Sequence, residues 1–359
     1  MNLTKKQKKQ IYSCLILAMT GDTLSFCNNL KLLNIEYNKT NEQKKTDLYN
    51  QLYAYNQFNL QSWAHSMYSI WLYFIPPFSI SSKTISRKET ELNMYKIPIY
   101  IRHPKFRLLD SSKYKYKYLN SYKIIKIHKS KLNSYINRIY SNSNYKKNMI
   151  TIAKKKRIIN PSDEFILIGI TIGLIYTNIS DFKQRDINIT TIIGNTHSHP
   201  YSYMAIILLS TLITNLYKTQ NIIQTLLNTN NYLQTTLNIS NKTEQLFCNE
   251  FNKFVKKTVI NNDTVKYHRQ KYKKLNALTT ILIAINSYLK YGNNWEMLIY
   301  ISGMKHQTSP ATCAIAASFY GLVRGFKGVP KVQYQNIENG DKVAKNFFQG
   351  GKYKNLPFV

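Results

Sequence analysis

Ser309-Pro310-Ala311-Thr312-Cys313-Ala314-Ile315-Ala316-Ala317-Ser318-Phe319-Tyr320-Gly321-Leu322-Val323 is the stretch on which the fold class rests. A serine followed by proline is a helix start. The hydroxyl accepts from a first-turn amide, and proline gives up an N–H that would otherwise lack a partner. Small and apolar residues then continue to Val323. Upstream, residues 275–291 and 295–302 read as two more helices, and the tail beyond Gln335 has room for another.

Helical spacing returns toward the N-terminus. Ile11, Cys14, Leu15 and Ala18 share one face of a helix over 10–19 that should stop near Gly21. Leu60, Trp63, Ala64, Met67, Ile70, Trp71 and Phe74 follow the same pattern over 58–75, ended by Pro76-Pro77. Residues 200–217 form a further helix, with Pro200 at an early position and Thr196 or Ser198 as its cap. Residues 164–176 are so rich in isoleucine that propensity alone allows a buried strand. Strand signals are otherwise few, so the reading is a single all-α domain over 1–359.

Residues 81–160 stand apart, with 21 Lys or Arg against three acids and little periodicity. Lys113-Tyr114-Lys115-Tyr116-Lys117-Tyr118 alternates like a strand, and the segment reads as a basic insertion. The whole chain carries a formal charge of +33, which favours polyanionic partners. Its 29 tyrosines and abundant Ile, Asn and Lys reflect a compositional bias, so single residues of these types are weak signals. Hydrophobic residues make up 43%, enough for a sizeable core. Cys14, Cys27, Cys248 and Cys313 lack CxxC spacing, so a structural zinc site is not expected, and scattered thiols suit an intracellular reducing compartment. The basic start and short apolar run at the N-terminus read as the first helix, not a signal peptide. The longest apolar run, 204–213, is too short to span a bilayer.

Three stretches carry a family resemblance. Gly21-Asp22-Thr23-Leu24 follows an apolar helix. Thr196-His197-Ser198-His199-Pro200 opens an Ala/Leu-rich one. Trp295-Glu296 is followed by Ala314-Ile315-Ala316, Tyr320-Gly321 and Gly325-Phe326-Lys327-Gly328-Val329-Pro330. In this order the chain resembles the ADP-ribosylglycohydrolase family, most closely its ADP-ribosylarginine hydrolase branch. The resemblance implies an orthogonal helical bundle with a central cleft. In active relatives two magnesium ions there grip the ribose hydroxyls and activate water.

The family's ligand groups are missing at the matching positions. Leu60-Gln61-Ser62-Trp63-Ala64 holds no carboxylate, and Thr308-Ser309-Pro310-Ala311 stands where two aspartates belong. Hydroxyls cannot replace carboxylates around two doubly charged ions. The phosphate-binding loop reads Ser162-Asp163-Glu164-Phe165-Ile166-Leu167-Ile168, with Ile168 at the arginine position. A second glycine-rich loop is replaced by Tyr267-His268-Arg269-Gln270-Lys271.

The expectation is therefore a pseudoenzyme, leaning away from catalysis and without a cofactor. What remains of a cleft is assigned to Asp22, Thr196, His197, His199, Lys305, His306, Thr308 and Ser309. Asp22 is expected to cap the end of the first helix or touch a ligand. Thr196, His197 and His199 cap and pack a helix start, with His197 available to line the cleft. Lys305, His306, Thr308 and Ser309 flank a helix start that can attract an anion. The leading function is a structural or interaction protein docking onto an acidic protein surface or multi-subunit assembly. The alternatives are a magnesium-dependent hydrolase with relocated ligands, and a nucleic-acid-binding module that acts through residues 81–160.

Overall fold

In the computed structural model, residues 3–32, 72, 163, 165–178, 182–196, 199–260, 276–305, 309–335, 337 and 340–348 are described. α1 (Lys5–Leu32) packs chiefly against the C-terminal helices. Ile11, Cys14, Leu15 and Ala18 are buried as their spacing predicts, but Ile16, Leu17, Met19, Asp22 and Thr23 are buried as well. A helix buried on every side must satisfy its own hydroxyls. Thr20 Oγ1 accordingly donates to the Ile16 carbonyl at 2.9 Å.

The helix does not stop near Gly21, and Asp22 caps nothing at its end. Gly21 is where α9 (Pro310–Arg324) crosses. A β-carbon there would stand 2.8 Å from both the Ala317 side chain and the Cys313 carbonyl oxygen. The glycine serves close approach inside a helix, not termination. Farther along, Ser13 Oγ donates to the Gly321 carbonyl at 2.7 Å, so α1 and α9 run antiparallel.

The isoleucine-rich stretch is helical. α2 (Ile168–Ile175) is buried along its whole length and passes into a 3-10 turn, Tyr176–Asn178. Gly169 faces Ile206 and Leu209 on α4 (Pro200–Thr219), and Gly173 faces Ser210 and Ile213. Thr214 Oγ1 adds a bond to the Gly173 carbonyl at 2.8 Å. Tertiary contact overrides the strand propensity of the isoleucines here.

α3 (Phe182–Thr196), α5 (Ile222–Thr235) and α6 (Lys242–Val255) complete the layer around α4. α7 (Ala277–Tyr291) and α8 (Trp295–Ile299), extended by a π-helical turn Tyr300–Lys305, lead into α9. Two short helices close the described chain, α10 (Lys331–Tyr334) and α11 (Gly340–Phe348). Asparagine caps four of these helices through its side-chain oxygen: Asn221 on α5, Asn241 on α6, Asn276 on α7 and Asn294 on α8.

No strand occurs among the described residues, so the chain is all-α there. No described helix is long and apolar enough to cross a membrane. The basic segment 81–160 lies outside the described residues, as does the helix over 58–75 apart from Leu72, which is helical and buried.

Candidate functional site

The start of α9 and the middle of α1 form the first polar locus. Asp22 is fully buried one residue past the α1–α9 crossing. Ser25 Oγ donates to the Gly303 carbonyl at 3.0 Å, and a β-carbon on Gly303 would lie 2.8 Å from Cys313 Sγ. Burial pushes the Cys313 thiol up to about 12; a hydrogen bond with Ser302 opposes this, and the Asp22 charge adds to it. Asp22, the turn that ends at Lys305 and the first turns of α9 are thus brought together. His306 and Thr308 lie outside the described residues.

Ser309 is the N-cap of α9, as its position before Pro310 predicts. Its Oγ accepts from the Ala311 amide at 3.3 Å, and its carbonyl accepts from the Thr312 amide at 2.8 Å. Those amides are therefore engaged at the helix start that was read as an anion site. The hydroxyls of Thr23 and Thr312 are buried without a hydrogen-bond partner among the described residues.

Among the described residues this locus offers few of the groups that a pair of magnesium ions would need. Such ions need several hard oxygen ligands in near-octahedral array. Here one carboxylate, a thiol held protonated, a capping serine and two threonine hydroxyls stand instead. Among the described residues no three of His, Cys, Asp and Glu come together. Ile168, which the resemblance would set at an arginine position, is 1% exposed at the start of α2. Asp163 instead accepts from Thr280 Oγ1 on α7 at 2.9 Å.

At the start of α4, Thr196 is the last residue of α3 and not a cap; His197 and Ser198 lie outside the described residues. His199 takes the cap, its Nδ1 accepting from the Tyr201 amide at 3.2 Å. Imidazole does this only when neutral, in the Nε2–H form, and burial lowers the His199 pKa accordingly. Tyr201 then meets Phe247 of α6 edge-on at 5.1 Å.

A second polar locus was not anticipated from the sequence. Arg185 on α3 is fully buried. Its Nε and one terminal nitrogen both reach Asp186 Oδ1 at 2.8 Å, and that terminal nitrogen also donates to Thr211 Oγ1 at 2.8 Å. The guanidinium lies 4.7 Å from the Phe182 ring centre and 5.5 Å from that of Tyr232. The Tyr232 hydroxyl donates to the other Asp186 oxygen. Burial raises the Asp186 pKa in spite of the Arg185 charge beside it.

Asp186 and Tyr232 line a cavity of about 450 Å³ together with Lys183, Tyr203, Ser240 and Glu244. Glu244 accepts from the Tyr203 hydroxyl, from the Ser240 amide at 2.7 Å and from Asn241 Nδ2 at 2.7 Å. Burial pushes the Tyr203 and Tyr232 phenols well above their usual range, so both remain donors. Each carboxylate in this cavity is already engaged by its own neighbours. Asn241 followed three residues later by Glu244 is the signature of a capped helix start, and would have marked half of this locus in the sequence. Compared with known proteins, the chain matches no family model, and no curated protein is significantly similar to it.

Proposed function

We propose that this chain is a non-catalytic homologue of the ADP-ribosylglycohydrolases that serves as a structural or interaction protein in a larger assembly. The observation that carries the reading is the composition of the α9 start. Ser309 is spent as a cap, Pro310 offers no donor, and Ala311 and Cys313 are fully buried against neighbouring helices. Hydrolysis of the family's type needs carboxylates at that point to hold the metal and lower the pKa of its water.

The distribution of charge supports docking to an acidic partner. Asp22, Asp186 and Glu244 are withdrawn into the interior, while every lysine whose side chain is described is exposed. Among the described residues the surface is thus more basic than their formal charge conveys, which favours association with an acidic protein face. The test combines two measurements on the full-length chain. Incubation with ADP-ribosyl-arginine and magnesium should release no ADP-ribose, and affinity purification from its own cells should bring down a stoichiometric complex. Release that EDTA abolishes would overturn the reading.

A further inference from the structure

One end of the helical layer gathers positive charge from several elements. α1 begins there with Lys5, Lys6, Lys8 and Lys9, all exposed. Because α9 is antiparallel to α1, its last turn ends at the same place: Gln10 Nε2 donates to the Leu322 carbonyl at 3.5 Å. Arg324, Lys327 and Lys331 follow, also exposed. α4 ends beside it, with Gln7 next to the Tyr217 hydroxyl, and so does α7, whose Tyr288 feels the Arg324 charge. Among the side chains described there, the carboxylate is Glu296, half-buried in the first turn of α8.

Helix stability explains only part of this cluster. Arg324 sits in the last turn of α9, where a cation suits the helix dipole. The four lysines of α1 sit at the opposite pole, where a cation is unfavourable. No acid occupies that first turn. The capping box is closed by a neutral residue: Thr4 N donates to Gln7 Oε1 at 2.9 Å, and Gln7 N to Thr4 Oγ1 at 3.2 Å. A glutamate at position 7 would have closed the same box and neutralised charge. The fold therefore concentrates cations where they weaken its own helix.

Aromatic rings lie among these charges. Phe326 and Tyr334 stack at 4.2 Å between centroids with an interplanar angle of 23°, and Tyr12 meets Phe326 edge-on at 5.8 Å. All three are partly exposed. Lys327 and Lys331 lie between the two stacked rings in the chain. Lysines that neutralise phosphates around a ring platform form the pattern that holds single-stranded nucleic acid, whose bases stack on any aromatic face.

We infer that this end of the molecule, formed by the start of α1 and the α9–α10 turn, binds single-stranded nucleic acid. The inference does not depend on whether the chain hydrolyses ADP-ribose. It also differs from binding through residues 81–160, since every residue it uses lies in α1, α9, α10 or the turn between α9 and α10.

The experiment measures anisotropy of a fluorescein-labelled 20-nucleotide single strand of mixed sequence, as RNA and as DNA, over a salt series. Three full-length proteins are compared. One is unchanged, one carries Lys5, Lys6, Lys8, Lys9, Lys327 and Lys331 each changed to Gln, and one, the α6 variant, carries Lys242, Lys253, Lys256 and Lys257 changed to Gln on α6 and the π-helical turn that follows it. For single strands each phosphate contact contributes about 0.7 to the slope of log affinity against log salt. The six-site variant should lose up to about 4 from that slope and bind at least tenfold more weakly, while the α6 variant keeps the parent slope. Tyr334→Leu should weaken binding about fivefold or more at constant slope, the low end of one base stacking on one ring. A two-site variant, Lys327→Gln with Lys331→Gln, leaves α1 intact and should lose about 1.4 from the slope. An unchanged slope in both basic-end variants, or an equal loss in the α6 variant, overturns the inference. So does competition by poly-glutamate as effective as that by the unlabelled strand, with Tyr334→Leu without effect, which would mark an acidic protein as the occupant.

Discussion

Asp186→Asn offers the sharpest test of the buried network. The substitution preserves shape and removes one charge. Arg185 then remains fully buried, with one terminal nitrogen already lacking a partner among the described residues, and loses its counter-ion. Stripping one member from a buried ion pair costs about 3–5 kcal/mol. Thr211 still accepts from the guanidinium at 2.8 Å and Phe182 still faces it at 4.7 Å, so the low end, about 3 kcal/mol, is expected. The raised Asp186 pKa says that burial outweighs the attraction of Arg185. The pair as a whole should therefore contribute little. Replacing both members, Arg185→Met with Asp186→Leu, should fall within about 1 kcal/mol of the parent. Urea unfolding followed by far-UV circular dichroism at pH 7.5 measures all three proteins. A loss below about 1 kcal/mol for Asp186→Asn alone would mean that water reaches Arg185, and would refute the argument.

Other perturbations probe the packing and the caps. In Gly321→Ala the new β-carbon would stand 2.5 Å from the Ser13 carbonyl oxygen, so α1 and α9 must part, costing about 3 kcal/mol in the same unfolding assay. Gly325→Ala meets nothing within 4 Å but holds φ at +63° with ψ at −134°, a conformation essentially reserved for glycine, so it should cost about 3 kcal/mol through backbone strain alone. His199 has a lowered pKa in the folded state, so its contribution is complete above the ordinary imidazole value and is lost as pH falls through the folded one. The drop in melting temperature between pH 7.5 and 5 should therefore be smaller in His199→Asn, which caps without titrating. Cys248 and Cys313 are buried, with thiols pushed up to about 11 and about 12, so iodoacetamide at pH 8 should modify neither until urea unfolds the chain, as mass spectrometry would show.

Caps and periodicity made several elements readable. Ser309-Pro310 marked the start of α9, and the end of α7 at Tyr291 falls where the pattern ended. α5 and α6 carry start signals that the composition masks. Asparagine is so common in this chain that a single one is a weak signal, yet Asn221 and Asn241 open α5 and α6 by ordinary side-chain hydrogen bonds, to the Gln224 amide at 3.1 Å and the Glu244 amide at 3.0 Å. Compositional bias hid a signal that the local chemistry still used.

The all-helical class, the excess of positive charge and the lack of carboxylates at 60–64 and 308–311 follow from residue order alone, because propensity, capping and ligand chemistry act over a few neighbours. Packing alone assigned the rest. Gly21 reads as a stop and is a crossing; 164–176, where propensity alone allows a buried strand, holds a buried helix; Asp186 and Glu244, to which the sequence reading gives no role, are buried partners. The contacts responsible join positions such as Ser13 and Gly321, 308 residues apart, and no local pattern records which distant backbone a glycine or a carboxylate will meet.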